Sequence, residues 1–148
     1  MLRIAKLTDY GVIVATHMAT HTHYASANDI AEATGISLPT TSKVLKTLAK
    51  GGIVMSQRGA QGGYQLTRPA HSISVAQLVT ALEGPIAITE CSLEGDSNCT
   101  LDGQCNAQAN WQYINRSIHR ALEAVTLADM ARDTQHNLIS LKRTSKAS

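Results

Sequence analysis

Three thiols carry the most specific chemistry in this chain. Cys91, Cys99 and Cys105 are its only cysteines, and they fall within fifteen residues, CSLEGDSNCTLDGQC, at spacing C-x7-C-x5-C. The residues between them are mostly Ser, Gly, Asp, Asn and Thr, which favour turns over helix or strand. A loop of this composition can wrap its thiolates around a metal centre. Thiolates are the usual ligands of iron–sulfur clusters, and three with one exchangeable non-cysteine ligand is a variation on four. Zinc is the main rival, because three cysteines with a His or Asp complete a tetrahedron. The intervals of seven and five residues are nevertheless long beside the CxxC pairs that dominate zinc knuckles. A pair such as Cys99 and Cys105 could instead close a disulfide as a redox switch. Buried, idle thiols are the plain structural alternative. An odd cysteine count argues against a disulfide framework and points to a reducing, cytoplasmic setting.

The rest of the chain must position this loop. Its 148 residues suit one domain with room for an appendage. With no Phe, one Trp and four Tyr against 43% apolar residues, the core must be aliphatic. Binding of single strands by aromatic stacking is disfavoured for the same reason. Residues 1–70 carry seven Lys/Arg against three acids, and residues 71–148 carry six against eight. A basic first half suggests a polyanion-binding module. No apolar run approaches the roughly 18–20 residues that span a bilayer, so no membrane partner is expected. The start, MLRIAKLTDYGVIVA, lacks the apolar core and cleavage site of a signal peptide, and Asp9 interrupts it.

Apolar positions at steps of three and four predict a helix over 3–20, with Ile4, Leu7, Tyr10/Gly11, Val14 and Met18 on one face. Ser26 with Asp29 forms a capping box opening a helix over 27–34 that Gly35 stops. Ser37 is a good N-cap and Pro39 suits the first turn of a third helix reaching Lys50. Two helices joined by TGIS have the form of a helix-turn-helix. Ser37, Thr40, Thr41 and Ser42 would reach base edges or phosphates, and Lys43 and Lys46 the backbone. A strand at 53–57, a Gly-rich turn at 58–63 and a strand at 64–67 then predict a β-hairpin wing, with Arg58 and Gln61 at its tip. Gly59, Gly62 and Gly63 would let its backbone approach DNA.

Ser74 with Gln77 opens a further helix ended by Gly84-Pro85. From Gly84 to Cys105 there are four acids (Glu90, Glu94, Asp96, Asp102) and no base, a face that should avoid DNA. A long amphipathic helix follows, with Trp111, Ile114, Ile118, Ala121, Val125 and Ala128 in 3-4 spacing and Gln112, Asn115, Arg116, Arg120 and Glu123 opposite. Such a stripe needs a partner, and a homodimer matches two half-sites of a double-stranded DNA operator. Trp111, Ile114, Ile118 and Val125 are the expected interface. Thr126 and Asp129 form one more capping box. The expected fold is mainly α: a winged helix-turn-helix domain at 1–84, a cysteine-bearing loop at 85–106, a dimerisation helix region at 107–134 and a disordered tail at 135–148. There is no nucleophile–base constellation and no GK[ST] phosphate loop, so catalysis is not expected. A small iron–sulfur redox protein is the less favoured alternative, since it leaves the wing unexplained.

The chain resembles the Rrf-two family of winged-helix regulators. The likeness is carried by KLTDYG (6–11), IAEATGISLPTTSKVLKTLAKGGIV (30–54), RGAQGGYQL (58–66), ISVAQLVTALEG (73–84), the three cysteines and NWQYINRSIHRALEAVTLADM (110–130). It covers nearly the whole chain except the tail and is nearest to the cluster-assembly repressors. The resemblance implies a homodimeric transcription factor, most often a repressor, whose DNA affinity follows the occupancy or redox state of a 2Fe–2S or 4Fe–4S cluster on Cys91, Cys99 and Cys105. One departure matters. Part of the family has a histidine ligand three residues after the third cysteine, where this chain has Gln108. Another branch takes an aspartate from the first helix of the partner subunit, which the KLTDYG match places at Asp9. A carboxylate is a harder and more labile ligand than thiolate. His17, His21, His23 and His119 are the weaker candidates.

Overall fold

The computed structural model describes residues 3–93, 99–101 and 103–132. The expected disordered tail at 135–148, and Glu94, Asp96 and Asp102 of the acidic loop, lie outside the described residues. The elements are α1 (Lys6–Ala19), α2 (Ala27–Thr34), α3 (Leu38–Lys50), β1 (Val54–Gln57), β2 (Gly63–Leu66), α4 (Val75–Glu83), α5 (Gln108–Glu123) and α6 (Leu127–Ala131). No helix among the described residues is long and apolar enough to cross a membrane.

The core is aliphatic, as the lack of Phe requires. Val14, Ile30, Val44, Leu45, Leu48, Ile73, Leu78 and Leu127 are all fully buried in one cluster. α1 begins three residues later than its pattern predicts, and Ile4 is exposed. The helix starts where the Ala5 amide, at the N-cap, donates to Glu83 Oε1 at 3.0 Å, so the end of α4 closes the start of α1. Gly11 sits on the buried face because a Cβ there would collide with Leu82. Without large aromatic side chains to span gaps, α1 and α4 come close enough that any larger residue at position 11 would have to displace the Leu82 side chain.

The boxes at Ser26/Asp29, Ser74/Gln77 and Thr126/Asp129 all form, each hydroxyl accepting the amide three residues on while the later side chain accepts the N-cap amide. Gly35 stops α2 in the left-handed region at φ 70°, its amide donating to the Ala31 carbonyl at 2.9 Å. Ser37 occupies the N-cap of α3, but its hydroxyl donates to Thr40 Oγ1 at 2.9 Å instead of capping the backbone.

β1 and β2 pair antiparallel with Val54 opposite Leu66 and Gln57 opposite Gly63. The stretch before α2 adds a single antiparallel bridge to β2, as Ala25 and Tyr64 exchange both backbone bonds at 3.0 and 2.8 Å. Gly62 and Gly63 are required by the hairpin itself. A Cβ on Gly62 would strike the Gln57 carbonyl, and one on Gly63, at φ 138°, would strike the Ala25 carbonyl.

The largest difference from the sequence pattern is at the C-terminal side. The apolar stripe continues in the sequence through Val125 and Ala128 as if in one helix, but α5 ends at Glu123. Val125 lies in the turn beyond it, and its carbonyl accepts the Val75 amide at 2.8 Å. The Leu127 amide donates to the Ile73 carbonyl at 2.7 Å, and α6 then docks on the N-terminal domain. Strong local capping at Thr126 outcompetes continuation of the heptad. The division at residue 84 is therefore not a division of the core, which Leu127 shares. Leu127→Ala should lower the unfolding free energy by roughly 2–5 kcal/mol, whereas Val125→Ala, on the exposed turn, should change it by under about 1 kcal/mol. Urea unfolding checks both, and a neutral Leu127→Ala would mean that α6 is undocked in solution.

Candidate nucleic-acid interface and cysteine loop

α3 divides cleanly into two faces. Val44, Leu45 and Leu48 are buried, while Lys43, Lys46 and Lys50, at steps of three and four, are exposed together. Ser37, Leu38 and Pro39 are exposed at its start, and Thr40 and Ser42 are half-buried. Thr41 departs from the sequence expectation. Expected to face DNA, it is 0% exposed, and its hydroxyl points inward toward the Ile36 carbonyl at 3.4 Å. Its small side chain fills the helix-to-turn packing and has no route to a base.

Beside α3 the hairpin tip exposes Arg58, Gly59, Ala60 and Gln61. Its base is fastened by Thr67 Oγ1, which donates toward the Gly52 carbonyl at 2.8 Å, and by Gln65 Nε2, which donates to the Thr22 carbonyl. Tyr24 Oη donates to Met55 Sδ at 3.3 Å across the outer strand. The charge pattern marks the same surface more sharply than the net charge of the first half does: from Glu32 to Glu83 no carboxylate intervenes, while Lys43, Lys46, Lys50, Arg58 and Arg68 do. A helix start rich in hydroxyls, three lysines along one face and an arginine-tipped hairpin form a surface suited to a phosphate backbone and a groove.

All three cysteines are half-buried thiols. Cys91 lies in a single 3-10 turn, Glu90–Ser92. Thr89 Oγ1 is 3.2 Å from Cys91 Sγ and 2.7 Å from Ser92 Oγ. The thiol also borders a cleft lined by Gln112, Arg116, His119 and Arg120 of α5. Cys105 stands at the entry to α5, its carbonyl accepting the Gln108 amide at 3.2 Å. Asp9 is exposed in the first turn of α1. Among the described residues, no three His, Cys, Asp or Glu side chains stand together as a metal-holding group. The donor types suit a thiophilic centre.

The histidines have other company. The His17 and His21 rings lie 4.5 Å apart and those of His21 and His23 5.8 Å apart, at the end of α1. Burial holds the His17 imidazole below its ordinary pKa, and the adjacent His21 pushes the same way. His119 lies 3.7 Å from Glu123 within α5.

α5 turns its apolar side outward. Trp111, Tyr113 and Ile114 are 42%, 66% and 40% exposed, and Ile118 is half-buried. Gln112 and Asn115, expected on the solvent side, instead face the segment leading into Cys91. Asn115 accepts the Ile88 amide at 3.2 Å and donates to the Ile86 carbonyl at 3.1 Å, and Gln112 donates to the Cys91 carbonyl at 3.4 Å. Their polarity hid this role, which depends on where the chain returns in space.

Comparison with known proteins accounts for this arrangement. The family model described as "Iron-dependent Transcriptional regulator", Rrf2, matches residues 4–133. Protein rrf2 of Nitratidesulfovibrio vulgaris is 34% identical over 134 residues, covering 89% of each chain. Among solved structures, T. potens IscR superposes with a TM-score of 0.68 at 33% identity, covering 90% of this chain and 88% of its own. CymR, the global cysteine regulator of B. subtilis, gives a TM-score of 0.69 at 27% identity, covering 88% and 97%. These relatives are regulators and not enzymes, and with a winged helix-turn-helix carrying the basic face described above, the chain belongs to the Rrf2 family of DNA-binding transcriptional regulators.

Proposed function

We propose that this regulator is a homodimeric repressor whose operator affinity follows the state of an iron–sulfur centre on Cys91, Cys99 and Cys105. The observation that carries the reading is the attachment of Cys91, through Gln112, and of the segment leading into it, through Asn115, to the helix that presents an exposed apolar face. A matching family description, iron-dependent regulation, supports it. Asp9 of the partner subunit is the proposed fourth ligand, and three thiolates with one carboxylate are compatible with 2Fe–2S or 4Fe–4S. Such a centre would supply a thiolate-bridging unit that oxidants or iron shortage can remove.

The chain's own residues do the rest. Trp111, Ile114 and Ile118 pack against a second copy, with Val125 flanking the seam from the turn beyond α5 rather than from the helix. Pairing across a two-fold axis sets the two α3 helices against half-sites about one helical turn or a multiple apart. Ser37, Thr40 and Ser42 meet base edges or phosphates. Lys43 and Lys46 neutralise phosphates, and Arg58 and Gln61 reach the adjacent groove or backbone. The genes controlled are proposed to serve cluster assembly or stress. A second reading, zinc or a thiol switch at the same cysteines, draws on the donor set, since three thiols with a His or Asp also suit zinc and two suffice for a disulfide.

Lys43→Ala and Arg58→Ala should each weaken binding to the chain's own upstream DNA across sequences. Each should also lower the slope of log affinity against log salt by about 0.9, the amount expected when one phosphate is no longer neutralised; an unchanged slope would remove that residue from the interface. Trp111→Glu with Ile114→Glu should give a monomer by light scattering and abolish half-site cooperation; a persistent dimer would put the seam elsewhere. Anaerobically purified protein should be brown, with iron and sulfide, and Cys91/Cys99/Cys105→Ala should change operator affinity. Identical affinity with and without the thiols would sink the switch. A colourless protein with stoichiometric zinc would favour the second reading.

A further inference from the structure

After Gly84 the chain leaves α4 and runs along α5 before turning at Cys91. Residues 85–88 make no backbone–backbone hydrogen bond among the described residues. Two of their polar groups are met by one side chain. Asn115 Oδ1 accepts the Ile88 amide at 3.2 Å, and Asn115 Nδ2 donates to the Ile86 carbonyl at 3.1 Å. An amide and a carbonyl two residues apart are what a neighbouring strand would pair, so the carboxamide stands in for a strand edge. One turn earlier on the same helix, Gln112 donates to the Cys91 carbonyl at 3.4 Å. Thr89, between these anchors, contacts the Cys91 sulfur. The path from Ile86 to Cys91 is thus fixed by a single face of α5, next to the exposed Trp111 and Ile114.

We propose that Asn115, assisted by Gln112, is the positioning residue that couples Cys91 to the orientation of α5, so that a change at the first thiol is passed to the dimer helix through a two-bond carboxamide clamp. Two directed bonds fix distance and rotation together, which a contact between apolar groups does not. Only a carboxamide offers donor and acceptor at this reach. Asn115→Asp keeps the acceptor and sets a carboxylate against the Ile86 carbonyl. Asn115→Leu leaves both backbone groups unpaired. The proposal rests on the reading that the state of Cys91 governs operator binding, and it adds the element that transmits that state.

The test uses the full-length chain in two arms. In the first, metal-free protein carrying Cys99→Ser and Cys105→Ser leaves Cys91 as the single thiol. Amide exchange at Ile88 and maleimide labelling of Cys91 are then measured with Asn115 intact, in Asn115→Leu and Asn115→Asp, and in Ser117→Ala as a control on the same helix, where the hydroxyl bonds only the Tyr113 carbonyl of α5. Asn115→Leu should speed both by about fivefold or more, Asn115→Asp less, and Ser117→Ala neither. Rates in Asn115→Leu equal to those of the parent overturn the clamp. If Asn115→Leu does not fold, Gln112→Leu takes its place, with faster labelling expected and little change at Ile88; unchanged labelling then overturns the proposal. In the second arm the cysteines are restored, and operator affinity is compared between iron- and sulfide-reconstituted and thiol-blocked protein. The ratio should collapse toward one in Asn115→Leu while light scattering still reports a dimer. A preserved ratio in a loosened variant overturns the coupling. If the parent itself takes no cluster and ignores thiol blocking, the functional reading fails while the first arm still decides the clamp.

Discussion

The structure hangs on the return of the chain after α5. Val125 and Leu127 exchange backbone bonds with Val75 and Ile73, and Leu127 is buried among residues of the N-terminal domain. Those bonds fix the far end of α5, while the near end follows from the cysteine loop. A helix of 16 residues spans about 24 Å. Held at one end and stapled along one side to residues 86–91, it has a defined tilt although none of its own residues is fully buried. Without α6, the long helix would be an amphipathic rod on a polar tether, and its apolar face could not be presented in a reproducible direction.

Charge follows the same division of labour. The run without carboxylates from Glu32 to Glu83 includes α3 and the hairpin, so no local anion competes for Lys43, Lys46 or Arg58. Exposed lysines that are not engaged in ion pairs keep their charge available for phosphate, and their attraction is screened beyond about 8–10 Å at physiological salt. The acids resume at Glu83, whose carboxylate caps α1, and at Glu90 in the first cysteine turn. A charge distribution of this kind favours presenting α3 and the hairpin, and not the acidic cysteine segment, to a polyanion.

Much of this is legible in the residues. Capping boxes are legible because they are local: three residues suffice to specify them, and the structure forms all three boxes. The hairpin is legible because glycine at the turn and alternation on either side leave few other solutions. The cysteines mark a candidate site by type and spacing, and leave its occupant open. What the sequence does not convey depends on which side of a helix meets which neighbour. Thr41 and Thr40 are adjacent and chemically alike, yet only one is buried. Gln112 and Asn115 look like solvent residues until residues 86–91 pass beside them. Val125 continues a heptad perfectly, and a cap at Thr126 breaks it. Gly62 and Gly63 also meet a steric need that the sequence does not convey, a close approach to the protein's own backbone.

A regulator of this design needs little energy to act. Altering operator affinity tenfold takes about 1.4 kcal/mol of difference between two states, comparable with one or two solvent-competing hydrogen bonds. The cysteine segment is joined to α5 by three such bonds and has no backbone ladder of its own in residues 85–88. A segment with a fully satisfied ladder would resist being moved, and one with no anchor could move without consequence. Three side-chain bonds lie between those limits. They are strong enough to hold the first thiol in register with α5, and weak enough that a modest change at the thiol can compete with them. On the proposed reading, the polar face of α5 is therefore as much a part of the regulatory apparatus as its exposed apolar face.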